Sequence, residues 1–383
     1  MYDTIVVGGG ISGLYCALSL PNVLVLEESN YWGGRIKTHY HPQYEMGAGR
    51  FHKNHKRLWH LIQRFKLNPM PIPGRLDYID EKDGVVPNVD AYLSAMIQKM
   101  TLHDSLRKKT FFQYCVKALG EEDAIQFAYA LGFHEIYYKN AYDSLQSLRM
   151  DYIQGDYFTL REGLSELCNR MVKEIKGKGH GVCKLNHRVT KIEHVGDHVK
   201  VDGYLAKKVI ITIPPIHFKN FPILSPYKKV ISYLKGPPLL RVYAKYPEPV
   251  WFDSMHKMTT SHELRHIIPI HDGIVMIAYV EDTDIAPFLE KGKLKSLKQI
   301  GELIETVLSQ LFPTLTIPKP LWIRPYLWEI GTHAWLPGNS TKLLETLPVI
   351  ENIYVCGEAF STRQSWIEGS LESAEGVLKT LNL

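Results

Sequence analysis

The stretch "VVGGGISG", Val6 to Gly13, decides how this chain is read. A β-rich run, "DTIVV", leads in, and a helix-compatible run, "LYCALSL", leads out. Gly8, Gly10 and Gly13 therefore occupy the glycine positions of the dinucleotide fingerprint G-x-G-x-x-G. In that fingerprint the first glycine makes the tight turn and the second lets a pyrophosphate approach the backbone. The third lets helix and strand pack closely, so that the helix N-terminus faces the phosphates. The next strand, "NVLVLEE", carries Glu27 about twenty residues beyond the first glycine, where a carboxylate meets the ribose hydroxyls. Glycine clusters also make ordinary turns, and it is the strand–loop–helix–strand order that gives this one weight. The fingerprint alone does not choose between NAD and FAD.

At 383 residues the chain has room for two or three domains and a large core. With 45% hydrophobic and 22% charged residues it has the balance of an ordinary soluble enzyme. The net charge of +5 is spread out, and its densest cluster, Lys173, Lys176 and Lys178, reads as a solvated helix end. No nucleic-acid partner is expected. Cys16, Cys115, Cys168, Cys183 and Cys356 are scattered, odd in number and never spaced as C-x-x-C, which predicts reduced thiols and no metal site. No apolar run reaches the ~18 residues of a membrane span. The N-terminus carries Asp3 and lacks a basic leader region. "NST" at Asn339 fits a glycosylation acceptor but has no secretory context. A soluble, intracellular protein of the cytoplasm is the expectation, with no membrane partner; the oligomeric state is open.

Periodicity outlines the rest. Residues 1–60 read as βαβ followed by loop and helix. "AYLSAMIQKM", "SLRKKTFFQYCVKAL" and "EDAIQFAYALGF" have helical spacing, as do "LSELCNRMVKEI" and "KLKSLKQIGELIETVLSQLF". "NHRVTKIEHV", "DHVKVDGY" and "KKVIITIPP" read as three strands, the last ended by Pro214 and Pro215. The tail returns to a strand, "NIYVCGE", and a helix, "EGSLESAEGVLKTL". The predicted fold is α/β: a Rossmann-type dinucleotide domain assembled from 1–60, 180–215 and 340–383. Inserted between those pieces, 61–179 and 216–339 form an α+β substrate domain with a mixed sheet and a helical part at about 90–150.

A second glycine site, "YWGGRIKT", places Gly33, Gly34 and Arg35 soon after the Glu27 strand. Adjacent glycines with an arginine fork suit a second approach to a pyrophosphate. "VVGGGISG", "LEESNYWGGRIKT", "EMGAGR" and "IYVCGEAFSTRQSWIEGSLESAEG" together resemble the flavin-containing amine oxidase family, which includes monoamine, polyamine and L-amino acid oxidases. Weaker similarity covers "LNHRVTKIE", "VIITIPP" and "RVYAKYPEPVW". The resemblance implies FAD as the cofactor, and the absence of a cysteine from "EIGTHAW" implies that it is held noncovalently.

The same resemblance implies roles. Gly8, Gly10, Ser12 and Gly13 would bind the pyrophosphate, Glu27 the adenosine ribose, and Gly34 and Arg35 the diphosphate from the other side. Gly47, Gly49 and Arg50 of "EMGAGR" would approach the cofactor. Val189 would meet adenine through its backbone, Gly357 and Glu358 the phosphate and ribityl chain, and Ile367 the flavin pyrimidine ring. Trp366 matches one aromatic wall of the flavin's open face, and His333 or Trp335 would supply the other. Arg241 stands where the family usually keeps a lysine; it cannot act as a base but could anchor a water or a carboxylate, and Lys245 would share its strand face.

Arg50 falls where L-amino acid oxidases keep the arginine that clamps a substrate α-carboxylate. His52 and His55 read as surface residues at a helix start. The implied reaction is oxidation of the C–N bond of an L-amino acid or primary amine to an imine, with O2 reduced to H2O2. A polyamine or monoamine oxidase is the alternative, and a flavin-binding protein without oxidase activity is a further one.

Overall fold

The computed structural model describes every residue except 81, 83, 152–155, 178 and 180, so Lys178 of the lysine cluster lies outside the described residues. The first strand, Tyr2–Val7, pairs in parallel with Val23–Leu26 on one side and with Tyr204–Ile211 on the other. Gly181–Lys184 extends the sheet beyond Val23–Leu26. The outer edge of Tyr204–Ile211 is split. Tyr204–Ala206 pairs antiparallel with His198–Val201, while Val209–Ile211 pairs in parallel with Ile353–Val355. All four residues of Val23–Leu26 are buried, as a strand covered on both faces requires.

One face of this sheet is covered by the helices Ile11–Ser19, Ile367–Thr380 and Leu164–Gly177, whose Leu14, Leu18, Leu371, Leu167 and Met171 share a core. The Leu164–Gly177 helix packs here although it lies within 61–179. Its Leu164, Leu167, Cys168, Met171 and Ile175 fall at three- and four-residue spacing and form the buried stripe that demands a sheet.

A second sheet of seven strands runs in the order Trp322–Trp328, Leu239–Lys245, Ile274–Glu281, His266–His271, Lys257–Thr260, Leu76–Asp80 and Gly84–Val86. The helix Leu297–Leu311 buries Ile300, Ile304, Val307, Leu308 and Leu311, in one core with strand residues such as Leu240 and Ile277. It starts at a capping box, Ser296 with Gln299. Helices between Val89 and Asp151 form a separate cluster around Leu93, Phe111, Phe127 and Leu145. Among the described residues no helix is long and apolar enough to cross a membrane. All five cysteines are free thiols.

Two elements differ from the sequence reading for local reasons. "SLRKKTFFQYCVKAL" is broken: a 3-10 turn, Asp104–Lys108, precedes the helix Phe111–Leu119, because Thr110 and Gln113 form a capping box and start a new helix there. "NHRVTKIEHV" is a strand only over Ile192–Val195. The N–H groups of Thr190 and Lys191 donate to the Asp202 carboxylate instead of to a neighbouring strand.

Candidate functional site

The glycine loop joins the first strand to the first helix, and its backbone leaves no room for side chains on the inner side. A Cβ at Gly13 would lie 2.1 Å from the Gly8 carbonyl oxygen, so helix and strand meet there only through glycine. A Cβ at Gly10 would meet nothing within 4 Å: this position faces open space. The second glycine site docks on the first, with Gly33 N–H donating to Gly9 O at 2.9 Å and Gly10 paired to Gly33. Gly10 and Gly34 both border a cavity of about 530 Å³. That open cradle at the N-terminus of a buried helix fits a pyrophosphate.

Most of the residues expected at the cofactor do border this cavity. Gly8, Ser12, Glu27 and Val189 lie on its wall, as do Gly47, Gly357 and Ile367. Several are also engaged with each other. Glu27 accepts the Gly9 N–H at 2.6 Å and the Ser29 N–H at 2.8 Å, so its carboxylate braces the glycine loop with lone pairs to spare. The Ser12 hydroxyl donates to Ser370 O at 3.2 Å and ties the first helix to the last. The last helix opens at Ile367 with Trp366 as its N-cap, directing free N–H groups and the positive end of its dipole toward the cavity.

Glu358, 5% exposed, is the polar hub of the wall. Arg35 Nη2 donates to its Oε2 at 3.0 Å, while Arg35 Nη1 donates to Gly331 O at 3.1 Å. Ser365 N–H donates to Oε1 at 2.6 Å. Burial pushes this carboxyl upward, but the Arg35 charge, His333 and the N–H donors outweigh it and hold it well below the usual carboxylate range. His333 is bound to the same carboxylate and borders the cavity.

Trp335 does not border either cavity described here. It is 1% exposed in the core beside the nucleotide sheet, with its N–H donating to Gln364 and its indole Nε1 donating to Ser361 O. Of the two aromatic candidates, only His333 borders the cavity; Trp335 shares the core of Val7, Ile211 and Phe360.

A second cavity, of about 140 Å³, shares Ala48, Arg241, Tyr279, Ser365, Trp366 and Ile367 with the first. Gly49 and Arg50 border it. The Arg50 guanidinium lies 4.7 Å from the Tyr157 ring centre and 5.8 Å from that of Trp366. Tyr157 and Trp366 are stacked, with centroids 6.1 Å apart and an 11° tilt. Among the described residues no carboxylate forms an ion pair with Arg50. Its fork is held by ring faces, and among the described residues its N–H edges have no hydrogen-bond partner.

Arg241 sits on the strand Leu239–Lys245 with Nη1 donating to the carbonyl oxygens of Glu45 (3.0 Å) and Gly47. Tyr243, two residues on, donates its hydroxyl to the same Glu45 oxygen. Arg241 thus clamps the "EMGAGR" loop. Glu45 itself is pushed up to about 7 by burial, and its oxygens accept from Thr38 Oγ1 and Leu164 N.

His52 and His55 are fully buried and not on the surface. His55 Nδ1 accepts the His52 N–H at 3.2 Å, its Nε2 lies 3.3 Å from Asp151 Oδ1, and its ring meets Trp366 edge-on at 5.0 Å. Arg363 Nη2 donates to the same Asp151 oxygen. The helix spacing suggested a solvated start, but the chain Tyr157–Leu160 covers it.

Tyr157, Tyr279, Trp328 and Asp151 are site residues that the sequence did not disclose. Tyr279 reaches the site because it lies opposite Arg241 in the antiparallel pair of Leu239–Lys245 and Ile274–Glu281, a register that only long-range strand pairing sets. The others come from loops and distant strands with no motif of their own.

A family model described as flavin containing amine oxidoreductase matches residues 11–150 and 126–377. No curated protein sequence matches the chain. Among solved structures, a triple mutant of putrescine oxidase redesigned in its cofactor binding superposes with a TM-score of 0.78 at 17% identity, over 100% of this chain and 98% of that one. Cyclohexylamine oxidase from Brevibacterium oxydans IH-35A superposes with a TM-score of 0.77 at 16% identity, over 100% of both chains. Such identities bear on the fold.

Proposed function

The chain belongs to the flavin-containing amine oxidoreductase family, and from that premise we propose that it uses noncovalent FAD to oxidise the C–N bond of an amine carrying a carboxylate, an L-amino acid in the first instance, to an imine. The cofactor is FAD. The chemistry it supplies when bound is uptake of a hydride equivalent from the carbon bearing nitrogen, with O2 as the final acceptor and H2O2 as the product.

The residues of this chain bind, orient and exclude water. Gly8, Gly10, Gly13, Gly34 and Arg35 hold the pyrophosphate, and Glu27 and Val189 the adenosine end. Gly357, Glu358 and the Ile367 N–H hold the ribityl–flavin end. His333 and Trp366 wall the substrate side, and Arg50 receives the carboxylate with its free fork, which sets the α-carbon. Arg241 keeps the "EMGAGR" loop in place and adds positive charge. Cations so close disfavour the substrate's ammonium form and help it shed the proton that must leave before oxidation.

The observation that carries this reading is the Arg50 guanidinium, without an acid partner among the described residues, over Tyr157 beside Trp366. An acidic lining would favour a polyamine or monoamine substrate instead. The small cavity does hold Glu135 and Glu281, but Lys139 Nζ donates to Glu135 at 3.0 Å, and burial with the Glu135 charge pushes Glu281 up to about 8. Neither presents free negative charge at neutral pH. The test is anaerobic bleaching of the visible flavin band with L-amino acids, simple amines and polyamines. Bleaching by amino acids that is lost in Arg50→Ala with FAD retained supports the reading. Bleaching by amines alone overturns it, and a band that nothing bleaches favours a flavin-binding protein without oxidase activity.

A further inference from the structure

Among the described residues, the charged side chains on the wall of the small cavity are Arg50, Glu135, Lys139, Asp151, Arg241 and Glu281. Most are balanced within the protein. Glu135 is paired with Lys139 at 3.0 Å. Asp151 is paired with Arg363 and lies 3.3 Å from His55. Glu281, pushed up to about 8 by burial and by Glu135, is largely protonated at neutral pH, and its Oε1 accepts the Glu135 N–H.

Two cations are left over. Arg50 has ring faces for neighbours and no acid partner among the described residues. Arg241 spends Nη1 on two backbone carbonyls, and its buried Nε has no partner. Glu45 feels the Arg241 charge, yet burial pushes it up to about 7 and its oxygens are turned to Thr38 and Leu164. The two arginines border the same small cavity, and a Cβ at Gly49, the residue before Arg50, would lie 3.5 Å from Arg241 Nη1.

We propose that the substrate is a dicarboxylic amino acid, with one carboxylate on Arg50 and the other on Arg241. The inference rests on the amine-oxidising reading above and narrows it. Buried charge without a counter-ion is costly, and a ligand that neutralises it recovers that free energy. An amino acid with its amine neutral, the form ready for oxidation, brings one negative charge if it has a single carboxylate. It brings two if it has a pair, and two matches the excess. Neighbouring groups feel the Arg50 charge: burial first, and then that charge, push His266 down to about 3 and Lys257 down to about 8.

The experiment uses the FAD-loaded protein and two unreactive five-carbon acids, glutarate and valerate, with the visible flavin band as readout. Glutarate is expected to bind roughly tenfold more tightly than valerate or better. Arg241→Gln, with FAD retained, is expected to bind the two alike. If valerate matches glutarate in the wild type while amino acids still bleach the flavin, the dicarboxylate inference is overturned and the carboxylate clamp stands. If neither acid perturbs the band while a simple amine bleaches it, both fall. Should Arg241→Gln fail to fold, the wild-type comparison decides alone.

Discussion

Glu358 and His333 are joined twice: the His333 N–H donates to Oε1 at 3.0 Å, and Nδ1 donates to Oε2 at 2.7 Å. The same carboxylate takes Arg35 Nη2 and the Ser365 N–H, so one buried side chain ties four segments around the cofactor cavity. Glu358→Ala leaves Arg35 without its acid and three N–H donors without an acceptor. It is expected to destabilise the protein by about 3 kcal/mol and to release FAD on gel filtration. Unchanged denaturant stability and full flavin content would remove Glu358 from this role.

The same group sets an acid limit. Its folded value lies below the ordinary 4.5, so the unfolded chain binds more protons than the native one as pH falls below that point. The stability it contributes is complete above 4.5 and is lost progressively as pH drops from there toward the folded value. The midpoint of thermal unfolding should therefore fall more steeply below that pH in the wild type than in Glu358→Gln.

Glu45 works with the opposite sign. Burial lifts its carboxyl from 4.5 to about 7, so between those values the native protein holds a proton that the unfolded chain has lost. Stability falls as pH rises through this window and levels off above about 7. Glu45→Gln, neutral at every pH, is expected to flatten the thermal midpoint between pH 4.5 and 7. At pH 8 it should gain up to about 3 kcal/mol. A variant less stable than wild type at pH 8 would show that the carboxylate's bonds to Thr38 and Leu164 outweigh its burial.

How far all this was legible follows from how local each determinant is. The glycine loop, Glu27 and the Gly33–Arg35 turn sit in or just after one βαβ unit, where short spacing does much to fix geometry, and Gly8, Gly10, Glu27 and Gly33–Arg35 border the cavity. His333 and Trp335 stay open as alternatives in the sequence because nothing in "THAW" states which of them long-range packing buries: Trp335 is 1% exposed in the core beside the nucleotide sheet, while His333 is tied to Glu358 at the cavity. His52 and His55 look like a solvated helix start until the strand Tyr157–Leu160, a hundred residues on, closes over them. Tyr157 and Asp151 belong to the site only through that same long-range packing, which leaves no periodic trace.

Asp151 makes that packing testable. It is 1% exposed and carries the charge opposite Arg363, with His55 beside it pressing edge-on against Trp366. Asp151→Asn keeps an acceptor in place but leaves Arg363 unbalanced. A loss of roughly 2–3 kcal/mol is expected, together with a changed tryptophan emission as the Trp366 wall loosens. Equal stability and emission would show that Arg363 and His55 hold the wall without it.

Arg50 offers the sharpest separation of charge from geometry. Its guanidinium is carried on the Tyr157 face, so Arg50→Lys retains a cation in the cavity but loses the planar fork and the stacking. If the carboxylate is bound bidentately, Arg50→Lys should raise KM for the amino acid roughly tenfold, and Arg50→Ala roughly a hundredfold. The flavin spectrum should stay unchanged in both, because Arg50 borders the smaller cavity and not the larger one. The amine of a substrate lacking a carboxylate should be oxidised equally well by all three forms, since it has nothing to offer the fork. Steady-state kinetics with one amino acid and its decarboxylated amine settles the matter. A parallel loss on both substrates would mean that Arg50 supports the Tyr157–Trp366 stack and does not read the carboxylate.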